Sequence, residues 1–117
     1  MTRTRLWLVA LSLALLAGPP TARAADVDID KMIEEAKTPA DHEAIAAYYD
    51  QQADAARAKA AEHQKMGEDY KKMGGALAHK THFHEHCEAL VRSYRSEAKE
   101  YAALAAAHRE MAKAAKK

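Results

Sequence analysis

The sequence predicts an all-α protein: a short N-terminal helix followed by two long helices in an antiparallel hairpin, which pairs with another copy into a four-helix bundle. Three observations predict this fold. From Ala25 onward, 24 of 93 residues are alanine, and most others are Glu, Lys, Arg, Gln, Met or Leu, which favour helix. No proline follows Pro39, and Gly74-Gly75 is the one strong break in the chain beyond it. Apolar and aromatic residues recur at spacings of three and four on both sides of that break.

Residues 1–24 have the features of a secretory signal peptide. Arg3 and Arg5 precede an apolar run at residues 6–17, and a Gly-Pro-Pro break is followed by Ala-Arg-Ala at residues 22–24. Twelve helical residues reach only about 18 Å, which is too short to cross a bilayer. We therefore expect a periplasmic or secreted protein whose mature domain spans residues 25–117.

The mature chain divides into three predicted helices. The first covers about residues 28–36, the second about 39–72 and the third about 78–115, with a Gly-Gly turn at 74–75. Thr38 is a good N-cap for the second helix, Pro39 suits a first helical turn, and Asp41 occupies the capping-box position. Two long helices joined by a tight turn form a hairpin.

The apolar inventory of the mature chain is small. Leu, Ile, Val and Phe supply nine of its 93 residues. Burial of one large side chain contributes roughly 1.5–3 kcal/mol, so a lone two-helix hairpin is marginally stable. We therefore expect a homo-oligomer, most simply a dimer that forms a four-helix bundle.

A turn centred on residues 74–75 would align polar and aromatic residues of the two long helices. The aligned pairs are His42 with His108, Tyr49 with Tyr101, and His63 with Cys87. A connection that extends to Lys80 would shift this register by several residues and dissolve the pairs.

A cluster of potential metal ligands occupies the start of the third helix. Its members are His79, His82, His84, His86 and Cys87. On a continuous helix, His79, His82 and His86 share an arc of about 60°, whereas His84 points elsewhere. The i, i+4 spacing of His82 and His86 lets two imidazoles share one ion. Together with Cys87, and with His63 from the second helix, these residues predict a copper or zinc site.

Two functions remain open at this stage. The first is metal binding or buffering through His63, His79, His82, His86 and Cys87; the second is a structural or chaperone-like helical role without metal, with the histidines solvated or hydrogen-bonded. Cys87 is equally compatible with a small buried side chain, a ligand or an intermolecular disulfide. We do not expect an enzyme, because the sequence has no HExxH, no CxxCH and no Gly-rich phosphate loop. A formal charge of +1 gives no basic stripe for nucleic acid.

Overall fold

The protein is all-α, as the sequence predicts. A computed structural model describes residues 26–116, of which 89% are helical, with no strand among them. The helices are α1 (Ile29–Glu35), α2 (Pro39–Met73), α3 (Ala76–Thr81) and α4 (Phe83–Ala115). Within this described range, no helix is both long enough and apolar enough to cross a membrane. The predicted signal peptide lies outside the described residues.

The start of α2 is fixed by the predicted capping box. The Thr38 hydroxyl accepts a hydrogen bond from the Asp41 N–H at 3.2 Å, and the Asp41 carboxylate accepts one from the Thr38 N–H at 2.8 Å. A further N–H, from Lys37, also donates to this carboxylate. These backbone donors, Lys37 first, hold the pKa of Asp41 below its ordinary value.

The two long helices, α2 and α4, pack against each other through small side chains at seven-residue intervals. The buried rows are Ala46, Ala53, Ala60 and Gly67 on α2, and Val91, Ala98, Ala105 and Ala112 on α4. Small residues in both rows allow the helices to approach closely, as in other two-helix seams with heptad spacing. The only large side chain that is fully buried in the described part of the chain is Ile45. The core is therefore thin.

A second row of rings, all half-buried except the exposed Phe83, lies along the same seam. Ring centroids lie 5.5 Å apart for His42 and His108, 6.1 Å for Tyr49 and Tyr101, 5.5 Å for His63 and Tyr94, and 4.8 Å for Tyr70 and Phe83. Residues early in α2 thus contact residues late in α4, and the reverse. The first two contacts are those predicted from the sequence. The third is not, because His63 stacks on Tyr94 instead of pairing with Cys87.

The connection between the long helices differs from the predicted tight turn. Gly74 and Gly75 have φ angles of 63° and 86°, and a second break follows at His82, whose φ is 54°. The single helix predicted over residues 78–115 is therefore two elements, α3 and α4. This six-residue helix, α3, buries none of its residues. It leaves the register of the long helices unchanged, because Gly67 follows His42 by 25 residues and its partner His84 precedes His108 by 24. Tyr94, on which His63 stacks, lies seven residues after Cys87 on the same side of α4.

Candidate metal centre

The five predicted ligands lie on three elements and at the break between two of them. His63 is on α2 and half-buried, His79 is on α3, His82 is the break residue, and His86 and Cys87 are in the first turns of α4. His79, His82 and His86 are exposed, whereas Cys87 is buried, with an exposed fraction of 6%. Across residues 26–116, no three side chains among His, Cys, Asp and Glu lie close enough together to hold one ion. The structure therefore does not assemble the predicted set, and the interruption at His82 removes the continuous helical face on which it rested.

One acidic residue lies beside this break. His82 Nδ1 and a Glu85 carboxylate oxygen are 3.6 Å apart, and both side chains are exposed. The backbone N–H of Glu85 itself, and then the imidazole of His82, hold the pKa of the Glu85 carboxyl below its ordinary value. Glu85 is therefore an ionised oxygen donor next to a predicted imidazole ligand.

The imidazole of His63 has an unusual environment. It stacks on Tyr94 with an interplanar angle of 10°. Its Nδ1 is buried and has no hydrogen-bond partner, the one such side-chain nitrogen or oxygen found in the described chain. A buried polar atom without a partner is uncommon and has an energetic cost that needs an explanation.

Gly67 follows His63 by one helical turn and brings α4 close to α2. A Cβ atom at this position would lie 3.1 Å from the Cys87 Cβ and 3.4 Å from the His84 Nδ1. The His84 ring donates through Nδ1 to the Gly67 carbonyl at 3.1 Å, and its Nε2 lies 3.0 Å from the Glu88 carboxylate. Cys87 and His84 therefore face α2 at the level of Gly67.

His84 points in a different direction from the exposed His79, His82 and His86, because its ring is partly buried between the helices. The buried row of α4 extends back to this residue. The sequence contains the signal, since His84 precedes Val91 by seven residues, and Ala98 follows after another seven.

Two grooves flank the connection. The larger, about 390 Å³, is lined by His63 and His84, and the smaller, about 230 Å³, by His79 and His84. His84 lines both grooves, and it therefore lies between two predicted ligands: His63, which lines the larger groove, and His79, which lines the smaller one. The larger groove also carries charged side chains: Glu68, Lys71, Glu88, Arg92 and Arg95.

A second pair of imidazoles lies at the opposite end of the α2–α4 seam. The Nδ1 atoms of His42 and His108 are 3.2 Å apart. Burial, and then the neighbouring His42, lower the pKa of His108. The next residue, Arg109, forms an ion pair with Asp50 and lies 3.8 Å from the Glu43 carboxylate. These contacts link α4 to α2 beside the pair.

No known protein family, curated protein or solved structure matches this chain significantly. Its function is therefore inferred from the side chains around Gly67 and from the histidine-rich segment that precedes and opens α4.

Proposed function

We propose that the protein is an exported copper- or zinc-binding protein whose site lies beside the connection between α2 and α4. The observation that carries this proposal is the buried Nδ1 of His63, which has no hydrogen-bond partner. A buried nitrogen in that state costs about 1–3 kcal/mol, and a metal ion is a partner that would remove the cost. Neutral imidazole is a common ligand for both ions.

Cys87 is the second interior ligand in this proposal. It is buried, and it faces α2 at Gly67, one helical turn from His63. Thiolate sulfur and imidazole nitrogen together favour copper or zinc over calcium or magnesium, which bind oxygen. The absence of a side chain at Gly67 lets α4 bring its thiol this close to α2.

His79, His82 and His86 complete the site from outside. They are exposed, and α3 can move at little cost because it buries none of its residues. At one end of α3, Gly75 has a positive φ, which glycine adopts without steric cost; at the other end, His82 has a positive φ that is unfavourable for an L-residue and that a change of backbone direction would relieve. An ion held by His63 and Cys87 would draw His79 and His82 inward, whereas His86 lies on α4 directly before Cys87. Glu85 would be an additional oxygen donor.

We further propose that α2 and α4 form an antiparallel hairpin that dimerises into a four-helix bundle. Phe83, Leu90, Leu104 and Met111 on α4 are 40–50% exposed and lie at multiples of seven residues from one another. They form an exposed apolar row, interrupted at its middle position by Glu97, next to the half-buried tyrosines of the seam. A second copy that covers this row would add the large apolar side chains that the alanine-rich core lacks. The melting temperature should then rise with protein concentration.

The same exposed row supports a second function, that of a structural or chaperone-like helical protein without metal. Apolar rows of this kind bind other helices or unfolded segments. Metal content separates the two functions. The exported protein, purified without a tag, retains copper or zinc by elemental analysis in the first case and neither in the second.

Titration calorimetry with Zn²⁺, and with Cu⁺ under reducing conditions, tests the site. His82→Ala together with His86→Ala should lower the affinity by about 100-fold or more, because two ligands are lost. This loss exceeds the one that changes in the outer shell of a metal site produce. The matched control is His84→Ala, which removes the hydrogen bond to Gly67 and the contact with Glu88 but no proposed ligand. Affinity should also fall as the pH drops through about 6.5, where free imidazole protonates. Equal affinities for the double variant and the wild type would refute these ligands.

His63→Phe isolates the interior ligand. The phenyl ring keeps the stack on Tyr94 and removes the unpartnered nitrogen, so the metal-free protein should melt at a higher temperature. The rise in melting temperature that metal causes in the wild type should disappear, because that rise depends on binding to the folded state. If metal still raises the melting temperature of this variant by the wild-type amount, His63 is not a ligand.

A further inference from the structure

The seam between α2 and α4 has a second pair of imidazoles far from the connection. His42 lies in the second turn of α2 and His108 near the end of α4, and their ring planes are tilted by 34°. Their Nδ1 atoms face each other at 3.2 Å. Tyr49 stacks on the His108 ring at 5.9 Å and limits its rotation.

A hydrogen bond between the two rings is one explanation of this distance. It lies at the long end of the usual range, which is about 2.7–3.2 Å for a good donor and acceptor. A shared metal ion is the other. Two nitrogens bound at about 2.0–2.1 Å to one tetrahedral ion lie about 3.3 Å apart, close to the separation observed.

The surroundings of the pair favour the ligating form of His108. Partial burial and mutual proximity disfavour a positive charge on His108, so the imidazole stays neutral near pH 7. Arg109, the nearest cation in sequence, is neutralised by Asp50 and Glu43. Met111, one helical turn beyond His108, is 50% exposed and supplies a thioether on the same side of the helix.

We propose that His42 and His108 bind one transition-metal ion through their two Nδ1 atoms, as a site separate from the one beside the connection. The two imidazoles would chelate either of two ions. Zn²⁺ would complete its coordination with water, and Cu⁺ with the thioether of Met111. This site uses none of the residues proposed for the first, and the two can be tested independently.

The test uses the exported protein carrying His63→Phe and Cys87→Ala, which lacks both interior ligands of the first site. Titration calorimetry should still show one Zn²⁺ per chain. Adding His42→Gln or His108→Gln should lower that affinity by about 100-fold or more, whereas adding His84→Gln, which removes an imidazole elsewhere, should leave it unchanged. Circular dichroism should show equal helicity in all variants. Met111→Leu separates the two ions, since it should weaken Cu⁺ and leave Zn²⁺ unaffected.

Nitrogen NMR of the imidazoles gives a readout that does not depend on affinity. A hydrogen-bonded pair has one ring protonated at Nδ1 and the other at Nε2, whereas a metal at both Nδ1 atoms requires the Nε2–H form in both rings. Conversion of both rings to the Nε2–H form on adding Zn²⁺ supports the proposal. If the two rings still carry their protons on different nitrogens after Zn²⁺ is added, or if the protein with His63→Phe and Cys87→Ala binds no Zn²⁺, the proposal is overturned. If that protein instead binds as many Zn²⁺ ions per chain as the wild type, the site beside the connection is refuted.

Discussion

The two ends of the α2–α4 seam use the same residue types in different ways. At the end that carries His42 and His108, both helices are continuous and the two rings face each other. At the end near the connection, the chain breaks at His82, and the imidazole of His63 has a buried nitrogen without a partner. The first end is therefore ordered by the long helices themselves, while the second depends on a short helix that buries nothing.

Close packing also differs between the two ends. The buried row on α2 consists of alanines until its last member, which is Gly67. Here a Cβ atom would come within 3.1 Å of Cys87, which is closer than ordinary van der Waals contact. The connection end therefore combines a close contact between the helices with the place where the backbone is interrupted. A metal site formed there would have rigid interior ligands and mobile exterior ones.

The largest effect on stability is expected from filling the tight contact. Gly67→Val should destabilise the protein by about 1–3 kcal/mol, because its methyl groups would meet Cys87 and His84 and force the helices apart. Gly67→Ala is the matched control and should be nearly neutral. Its gain in helix propensity, about 1 kcal/mol, offsets the cost of displacing Cys87 by a few tenths of an ångström. Urea unfolding measures both variants. A valine variant as stable as the alanine variant would mean that the contact is loose.

A smaller effect is expected at the backbone break. His82→Gly should stabilise the metal-free protein by about 0.5–1 kcal/mol, because a left-handed conformation costs an L-residue roughly 1–2 kcal/mol and glycine almost nothing. His86→Gly is the control, and it should destabilise by about 1 kcal/mol, since this residue lies within α4. Equal destabilisation by both variants would indicate that residues 78–115 form the single helix that the sequence predicts.

The sequence predicts the all-α fold, the capping of α2 and the ring contacts at the His42–His108 end for local reasons. Capping needs only Thr38 and Asp41, and the heptad register holds wherever both helices are uninterrupted. The connection could not be predicted in the same way. The local sequence marks His82 only weakly as a break: histidine is among the non-glycine residues enriched at positive φ, and Thr81 and Phe83 are weaker helix formers than alanine, glutamate or lysine. That one residue separates His79 on α3 from His86 and Cys87 on α4.

The smallest effect is a pH dependence at the His42–His108 end. Burial, and then His42, lower the pKa of His108 in the folded protein, so the unfolded chain binds more protons below about pH 6.5. Without metal, stability should therefore fall as the pH drops from about 6.5 to the lowered pKa of His108, with no further change from this group below it. Carboxylates such as Asp50, whose pKa is lowered first by the hydrogen bond from Arg109, contribute only in more acidic solution. Urea unfolding between pH 5 and 7.5, in the presence of a chelator, measures the slope. His108→Gln should flatten it and His84→Gln should not, and a slope that survives His108→Gln would mean that it originates from a group other than His108.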